Sequence, residues 1–192
     1  MFRSTTILML ALLVLATSTG PAAATDRWTW ELRSGADLGS GTLGDTDLGT
    51  GGGFETAFTY RLQPHLSAYA GWGWHHLGVG DVLADGSLEQ TGYTFGLQFL
   101  HPVGRGPFGL FVRGGAVLRH FELERGDDVV DDSGHGWGWE LGGGVAYALD
   151  PAWSLRLGVT HRAIEREITV GESERTVELG GLSLEVGLAR SF

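Results

Sequence analysis

Apolar and polar residues alternate along most of the chain beyond residue 27. In residues 28–38, Trp28, Trp30 and Leu32 share one parity, whereas Glu31 and Arg33 share the other. A period of two residues is typical of a β-strand with one apolar face and one polar face. The pattern recurs in residues 53–62, 66–75, 92–99, 109–119, 137–147, 153–162 and 182–192. It predicts an all-β chain of eight strands without a helix.

The connections between these strands alternate in length. Residues 63–65, 102–107 and 150–152 form short turns that contain proline, whereas residues 39–52, 78–90, 124–134 and 165–178 form longer polar segments. Short turns at one end and long loops at the other are typical of an up-and-down transmembrane barrel. We therefore predict a single domain over residues 25–192, an eight-stranded antiparallel up-and-down β-barrel.

The face that points into the barrel decides between a soluble and a membrane protein. A soluble eight-stranded barrel such as a lipocalin turns its apolar residues inward, whereas a membrane barrel turns them toward lipid. The non-apolar face here consists mainly of Gly, Ala, Ser, Thr, Arg and Glu, with Phe111 and Val117 as exceptions. Small residues leave room for long charged side chains in such a narrow lumen. The sequence thus predicts a transmembrane barrel whose apolar face contacts lipid.

Charged residues of both signs fall on the predicted inner face. They are Arg33, Glu55, Arg113, Arg119, Glu140, Arg156, Arg162 and Glu185, together with Glu31. An unpaired buried charge is strongly destabilising, so we expect a mutually paired network. Specifically, we expect either Arg113 or Arg156 to pair with Glu140, and Arg33 to pair with Glu185 across the closure of the barrel.

Aromatic residues gather near both ends of the predicted strands. Near the short turns lie Trp28, Trp30 and Trp153, with Tyr60, Phe99, Phe108, Tyr147 and Phe192. Near the long loops lie Trp72, Trp74, Trp137 and Trp139, with Phe54 and Tyr93. Two aromatic belts separated by aliphatic positions match the two interfaces of a bilayer. The core of a soluble protein does not predict two belts.

Composition and charge exclude several classes of protein. The 192 residues include 33 Gly and 7 Trp, carry a net charge of −10 and contain no Cys. All 13 basic residues are Arg, and the acidic balance leaves no basic footprint for nucleic acid. The absence of Cys excludes disulfides, thiolate metal sites and a lipoprotein anchor.

The first 24 residues have the features of an export signal. Arg3 is followed by an apolar run over residues 7–16, and residues 22–24, all alanine, offer a cleavage site. This run is shorter than the ~20 residues of a membrane-spanning helix. We therefore predict a signal peptide over residues 1–24 and export of the mature chain.

The most specific local feature is the C-terminal run Leu182-x-Leu184-x-Val186-x-Leu188-x-Arg190-x-Phe192. With the Gly-Trp-Gly-Trp segments at 71–74 and 136–139, it makes residues 25–192 resemble the small eight-stranded bacterial outer-membrane barrels of the OmpA, OmpX and opacity-protein type. The resemblance implies short periplasmic turns, longer extracellular loops, and a monomer surrounded by outer-membrane lipid and lipopolysaccharide. It also implies that the barrel-assembly machinery reads Phe192. Arg190 departs from the apolar or aromatic residue of that signal.

Candidate metal ligands lie toward the long loops. Five histidines lie near that rim, namely His75, His76, His120, His135 and His161, but by parity only His75 points inward. Because the imidazoles do not converge, the sequence predicts no metal site. The acidic run over residues 126–132 lacks the spacing of an EF-hand loop and predicts a solvated acidic surface.

Two alternatives to a passive barrel stay open. Small barrels that deacylate lipid A have a His-x-Ser-Asn stretch, which the sequence after His161 does not match, while Ser133 and His135 lie in a predicted loop. A pore would need a channel through a lumen that eight strands leave narrow. The sequence favours a non-enzymatic outer-membrane barrel without a cofactor, whose acidic loops serve surface interaction or envelope integrity. The alternative is a lipid A-modifying enzyme or a narrow ion-conducting pore.

Overall fold

The computed structural model describes residues 27–39, 42–43, 46–79, 86–125, 128–170 and 173–192. Its strands are β1 (Trp28–Gly39), β2 (Thr42–Leu43), β3 (Thr46–Arg61), β4 (Leu66–Val79), β5 (Gly86–Pro102), β6 (Phe108–Arg125), β7 (Asp128–Ala148), β8 (Trp153–Val170) and β9 (Ser173–Ser191). The predicted signal peptide over residues 1–24 lies outside the described residues. Among the residues described, no helix is long and apolar enough to cross a membrane.

The eight long strands close into a barrel. From β3 to β9 each strand pairs antiparallel with the next, and β1 pairs with both β3 and β9. At the closure, the Phe192 amide donates a 2.9 Å hydrogen bond to the Trp28 carbonyl. The two-residue β2 pairs with β3 and β9 at the rim. The prediction of an all-β, eight-stranded antiparallel up-and-down barrel is confirmed.

Tight turns connect the strands at one end of the barrel, which we call the short-turn end. Between β7 and β8, the Asp150 carboxylate accepts hydrogen bonds from the amides of Ala152 (2.7 Å) and Trp153 (2.8 Å), as in an Asx turn. Between β5 and β6, Gly104 has a φ of 64°, a conformation that glycine adopts without strain. These local hydrogen bonds satisfy the backbone where the chain reverses.

At the opposite end, strand pairing reaches further into the connections than the sequence predicts. Register pairs extend to Gly86↔Arg125, Arg125↔Asp128 and Val170↔Ser173. The segments predicted as loops over residues 78–90, 124–134 and 165–178 therefore form β-hairpins for much of their length. Backbone N–H and C=O groups need partners whatever the polarity of the side chains, and the neighbouring strand supplies them. We call this end the hairpin end.

The two faces of the wall have opposite character. The outer face carries large apolar side chains, for example Leu157 at 55% and Trp137 at 62% exposure. The inner face carries buried charge, including Arg119 at 0% and Glu140 at 2% exposure. Phe111 and Val117, the two apolar exceptions to the alternation, are buried on this inner face. The middle of the barrel thus buries charged side chains, and large apolar side chains face outward.

Candidate functional site

The centre of the lumen is built around the Glu55 carboxylate on β3. Four arginines from β1, β6 and β8 surround it, namely Arg33 on Oε1, Arg113 at 3.2 Å, Arg119 at 3.4 Å and Arg162 at 3.6 Å. The Thr94 hydroxyl of β5 donates a further hydrogen bond to Oε1 at 3.0 Å. Strands from opposite sides of the barrel therefore meet at one buried carboxylate.

A second carboxylate, Glu140 on β7, joins the same cluster. Its Oε1 accepts from Arg113 Nη2 at 2.7 Å and from the Tyr69 hydroxyl at 2.7 Å. Its Oε2 lies 3.3 Å from Nε of Arg162. The Arg113 guanidinium carbon also lies 4.0 Å from the centroid of the Tyr69 ring. Tyr69 was not among the predicted lumen residues, although its parity places it on the inner face.

Glu185 and Glu31 hold the remaining arginine contacts. Glu185 lies 3.3 Å from Nη1 of Arg33, across the β1–β9 closure, and 2.9 Å from Nη2 of Arg162. Arg156 lies 2.7 Å from Glu31 and donates to the Gln98 amide oxygen at 3.1 Å. Of the two arginines expected near Glu140, the structure thus places Arg113 there and gives Arg156 a different partner. Arg156 lies nearer the short-turn end of the lumen, where its guanidinium carbon is 5.9 Å from the centroid of the Phe111 ring.

Glycines on the inner face supply the space for these long side chains. A Cβ built on Gly73 would lie 3.1 Å from Nη1 of Arg119 and 3.2 Å from Cγ of Glu55. A Cβ on Gly115 would lie 2.7 Å from the Tyr69 hydroxyl oxygen. The high glycine content therefore has a packing reason, because eight strands enclose a lumen only as wide as its side chains.

The lumen charges balance. The contributors are Arg33, Arg113, Arg119, Arg156 and Arg162 on one side, and Glu31, Asp37, Glu55, Glu140 and Glu185 on the other. Each of the four glutamates contacts at least one arginine. A buried pair is stable while both partners are present, whereas removing one partner leaves an uncompensated charge. These paired side chains connect strands on opposite sides of the barrel.

Above this network, toward the hairpin end, Asp37 and His75 form a polar pair. Nδ1 of His75 lies 2.8 Å from Oδ2 of Asp37, and the Ser183 hydroxyl donates to the other oxygen. A cavity of about 40 Å³ adjoins them, lined also by Gln90 and Arg162. This volume is large enough to hold water. Nε2 of His75 has no hydrogen-bond partner among the described residues, so water is its expected partner.

An apolar layer lies beyond the polar pair. Its members, all buried, are Leu77, Leu88, Phe121, Leu123 and Ile164. Leu77 pairs with Leu88 and Leu88 pairs with Leu123 across three neighbouring strands. This layer was not predicted because the strands expected from the alternation end at residues 75, 119 and 162 and begin at residue 92, short of these side chains. Extending the same parity beyond those residues places each of these side chains on the inner face.

The predicted aromatic residues lie on the outer face in two groups. At the short-turn end, Trp28 contacts Tyr60 with ring centroids 4.9 Å apart, and Trp30 of β1 and Trp153 of β8 lie on either side of β9. At the hairpin end, Phe54 contacts Trp72 and Trp74 at 5.8 and 6.2 Å. There Trp137 and Trp139 lie on β7, 62% and 50% exposed. Phe192 is exposed beside Trp28.

The remaining candidate side chains do not form a convergent site. His120 and His135 lie 5.3 Å apart on the outer face, whereas His75 is buried inside. The side chain of Ser133 lies outside the described residues. Among the side chains that are described, Glu89, Glu122 and Glu124 have carboxylate oxygens within 4.8 Å of one another. Acidic groups gather in this way on exposed surfaces without an ion, so the group does not assign a metal.

Comparisons with known proteins give one consistent result. Residues 9–192 match the model of the outer membrane protein beta-barrel domain family. The fold is similar to Neisserial surface protein A, with a TM-score of 0.64, 13% identity, and coverage of 86% of this chain and 96% of that chain. It is also similar to OprG from Pseudomonas aeruginosa, with a TM-score of 0.63, 14% identity, and coverage of 87% and 97%. Outer membrane protein W of E. coli gives 0.53, 16% identity, and coverage of 88% and 100%. A comparison with curated proteins gives no significant match.

Proposed function

Because the chain belongs to the outer membrane protein β-barrel family, we propose that it is a closed, non-enzymatic barrel that presents acidic hairpins at the cell surface. The short-turn end then faces the periplasm and the hairpin end faces the exterior. Residues 1–24 serve as the export signal, and Phe192 serves as the assembly signal. The observation that carries the proposal is the filled lumen, in which paired charges and an apolar layer occupy the space of a channel.

The lumen opposes ion conduction in two ways. An ion entering from the short-turn end meets arginines and glutamates that are already paired, so it gains little by displacing either partner. An ion entering from the hairpin end meets the layer of Leu77, Leu88, Phe121, Leu123 and Ile164, where it would lose its hydration. The barrel therefore works as a scaffold, and its specific contacts are made by the hairpins.

Planar bilayer recordings of the purified full chain test the closed lumen. We expect no discrete conductance steps from the unmodified protein. Glu140→Gln and Arg113→Gln alter the lumen, and Leu141→Val, on the outer face next to Glu140, is the matched control. Regular steps in the unmodified chain whose size changes with Glu140→Gln but not with Leu141→Val would establish a pore and overturn the proposal.

The acidic hairpins point to lipopolysaccharide as the partner in the outer leaflet. Between residues 124 and 134 the sequence has Glu124, Asp127, Asp128, Asp131 and Asp132 against a single Arg125. Lipopolysaccharide is itself anionic, so contact between the two requires bridging divalent cations, which favour carboxylate and phosphate oxygens. We expect binding of lipopolysaccharide to the purified barrel with Mg²⁺, and loss of binding with chelator or when the four aspartates are changed to Asn. Binding that is unaffected by both changes would contradict this role.

Mass spectrometry of lipid A tests the absence of catalysis. We expect an unchanged lipid A spectrum in cells that produce the protein. His135, the candidate base, is exposed on the outer face, 5.3 Å from the His120 ring, whereas a catalytic imidazole is oriented by a buried partner. A new lipid A species that disappears with Ser133→Ala would identify an enzyme instead.

A further inference from the structure

Arg190, the residue that departs from the terminal signature, lies on the outer apolar wall. Its side chain is exposed, and Leu188 and Phe192 lie on the same face. On the neighbouring strands it lies opposite Trp153 of β8 and Trp30 of β1. Its guanidinium carbon is 5.5 Å from the centroid of the Trp153 ring. No carboxylate of the described residues forms an ion pair with it.

A second arginine, Arg27, lies beside the same closure. Its Nη1 donates a 3.1 Å hydrogen bond to the Tyr60 hydroxyl, and the Tyr60 ring contacts Trp28. Trp28 in turn pairs through its backbone with Phe192, two residues after Arg190. No ion pair between Arg27 and a described carboxylate is present either. Two unpaired guanidinium groups and a set of aromatic rings therefore flank the seam where β1 meets β9.

The lipid environment determines what such groups can bind. An arginine within an aromatic belt extends its charged head toward the interface and leaves its stem against apolar surface. The guanidinium is planar, stacks on aromatic rings, and binds phosphate through two parallel N–H donors. At the interface of the short-turn end, the anions available to it are phospholipid phosphates.

We propose that Arg190 and Arg27, with Trp153 and Trp30 beside them, bind the headgroup of an anionic glycerophospholipid of the periplasmic leaflet. The excess of arginine over acidic residues at this end of the barrel supports an anionic ligand. At the short-turn end the sequence has four arginines, Arg27, Arg61, Arg105 and Arg190, against two acids, Asp26 and Asp150. The hairpin end has the opposite balance and faces lipopolysaccharide in the proposed orientation. The inference concerns the other end of the barrel from the proposed surface role and goes beyond it.

Because the site spans the closure, a bound headgroup would connect β9, β1 and β3. The Trp28 and Phe192 backbones form the last hydrogen bonds of the seam. A phosphate held on both sides of these bonds would resist fraying of the strand ends. The departure from the usual terminal signature at Arg190 would then serve lipid binding at the position where the barrel closes.

Native mass spectrometry of the folded full chain tests the site. The protein is released from detergent containing phosphatidylglycerol, phosphatidylcholine or lipid A, and the population of each lipid adduct is measured. The variants are Arg190→Gln and Arg27→Gln, and the matched control is Arg105→Gln, which removes one charge from the exposed turn after β5. Only preparations that migrate as folded protein before heating are compared.

We expect phosphatidylglycerol adducts to exceed phosphatidylcholine adducts in the unmodified protein. Each seam variant should lower phosphatidylglycerol occupancy by about fivefold, because each removes one guanidinium that contacts the headgroup. Arg105→Gln should leave it unchanged, and Arg190→Lys, which keeps the charge without the planar fork, should lie between the two. Equal adducts of both phospholipids, an equal loss with Arg105→Gln, or displacement of phosphatidylglycerol by equimolar lipid A would each overturn the site. If Arg190→Gln does not fold, Arg190→Lys and Arg27→Gln carry the test.

Discussion

The inner and outer faces of the barrel wall obey different rules, although they alternate residue by residue along the same strands. On β6, Val112 is 55% exposed and its neighbour Arg113 is 2% exposed. Val112 faces the lipid hydrocarbon, a uniform apolar environment in which one apolar side chain can replace another. Arg113 has three defined partners in Glu55, Glu140 and Tyr69. The outer face therefore requires a class of residue, whereas the inner face requires particular residues at particular positions.

The largest effect is expected from Glu55→Gln, which removes the carboxylate shared by four arginines. Leaving buried guanidinium groups uncompensated should lower the free energy of unfolding by about 3–5 kcal/mol. Denaturant titration in lipid vesicles, followed by tryptophan fluorescence, measures the change. The control is Phe58→Leu on the outer face of the same strand, where we expect a loss below about 1.5 kcal/mol. Equal losses for the two variants would remove the distinction between the faces.

A charge placed on the outer face should come next. Leu157 lies on β8 about halfway between Trp153 and Ala163, the residue that pairs with Trp139. Leu157→Arg should destabilise the barrel by about 2–4 kcal/mol, because the arginine meets hydrocarbon at the middle of the bilayer. Leu157→Ile keeps the apolar character and is expected to have little effect. A tolerated arginine at this position would show that the outer face is not in lipid.

A double-mutant cycle on Arg113 and Glu140 sharpens the description of the inner face. Each neutral variant, Arg113→Gln or Glu140→Gln, should be less stable than the double variant, because each single change leaves the buried network with one excess charge and the double change restores the balance. The coupling free energy should then exceed the loss caused by either single variant. Additive losses, measured by the same titration, would mean that the 2.7 Å contact contributes nothing specific.

A smaller effect is expected from adding a methyl group to the inner face. In Gly115→Ala the new Cβ would lie 2.2 Å from the Phe95 carbonyl oxygen and 2.7 Å from the Tyr69 hydroxyl. Overpacking of this kind should lower the free energy of unfolding by about 1–3 kcal/mol. Gly106→Ala, with nothing within 4 Å of the added Cβ, is the control. A neutral result at Gly115 would show that the lumen has spare volume.

The alternation of apolar and polar residues correctly predicted which face of each strand points into the lumen. Parity alone placed Arg33, Arg113 and Glu140 inside and identified Phe111 and Val117 as exceptions, which proved to be buried in the lumen. Parity could not assign the partner of Arg156. It gives the face of the strand on which a side chain lies, but not the height of that side chain relative to distant strands. That height follows from the stagger of the closed sheet, which places Arg156 at Glu31.

The hairpin end was the least predictable part of the chain. Its polar composition is typical of loops, yet the strands continue through it and place Leu77 and Phe121 inside the lumen. The pairing of Asp37 with His75 joins residues on strands that are not neighbours along the sheet. Parity extended through these strands places Leu77 and Phe121 on the inner face, whereas the contact between Asp37 and His75 has no local signal because it crosses the lumen.

The sequence by itself determined the strands, which residues lie on each face of a strand, and that the apolar face points outward. The period of two residues and the preference of apolar side chains for lipid act locally on every strand. Only the tertiary structure decided which arginine meets which glutamate, where the lumen is polar and where it is apolar, and which side chains flank the seam. Those choices depend on the closure of the sheet, which fixes distances between residues that are remote in the chain.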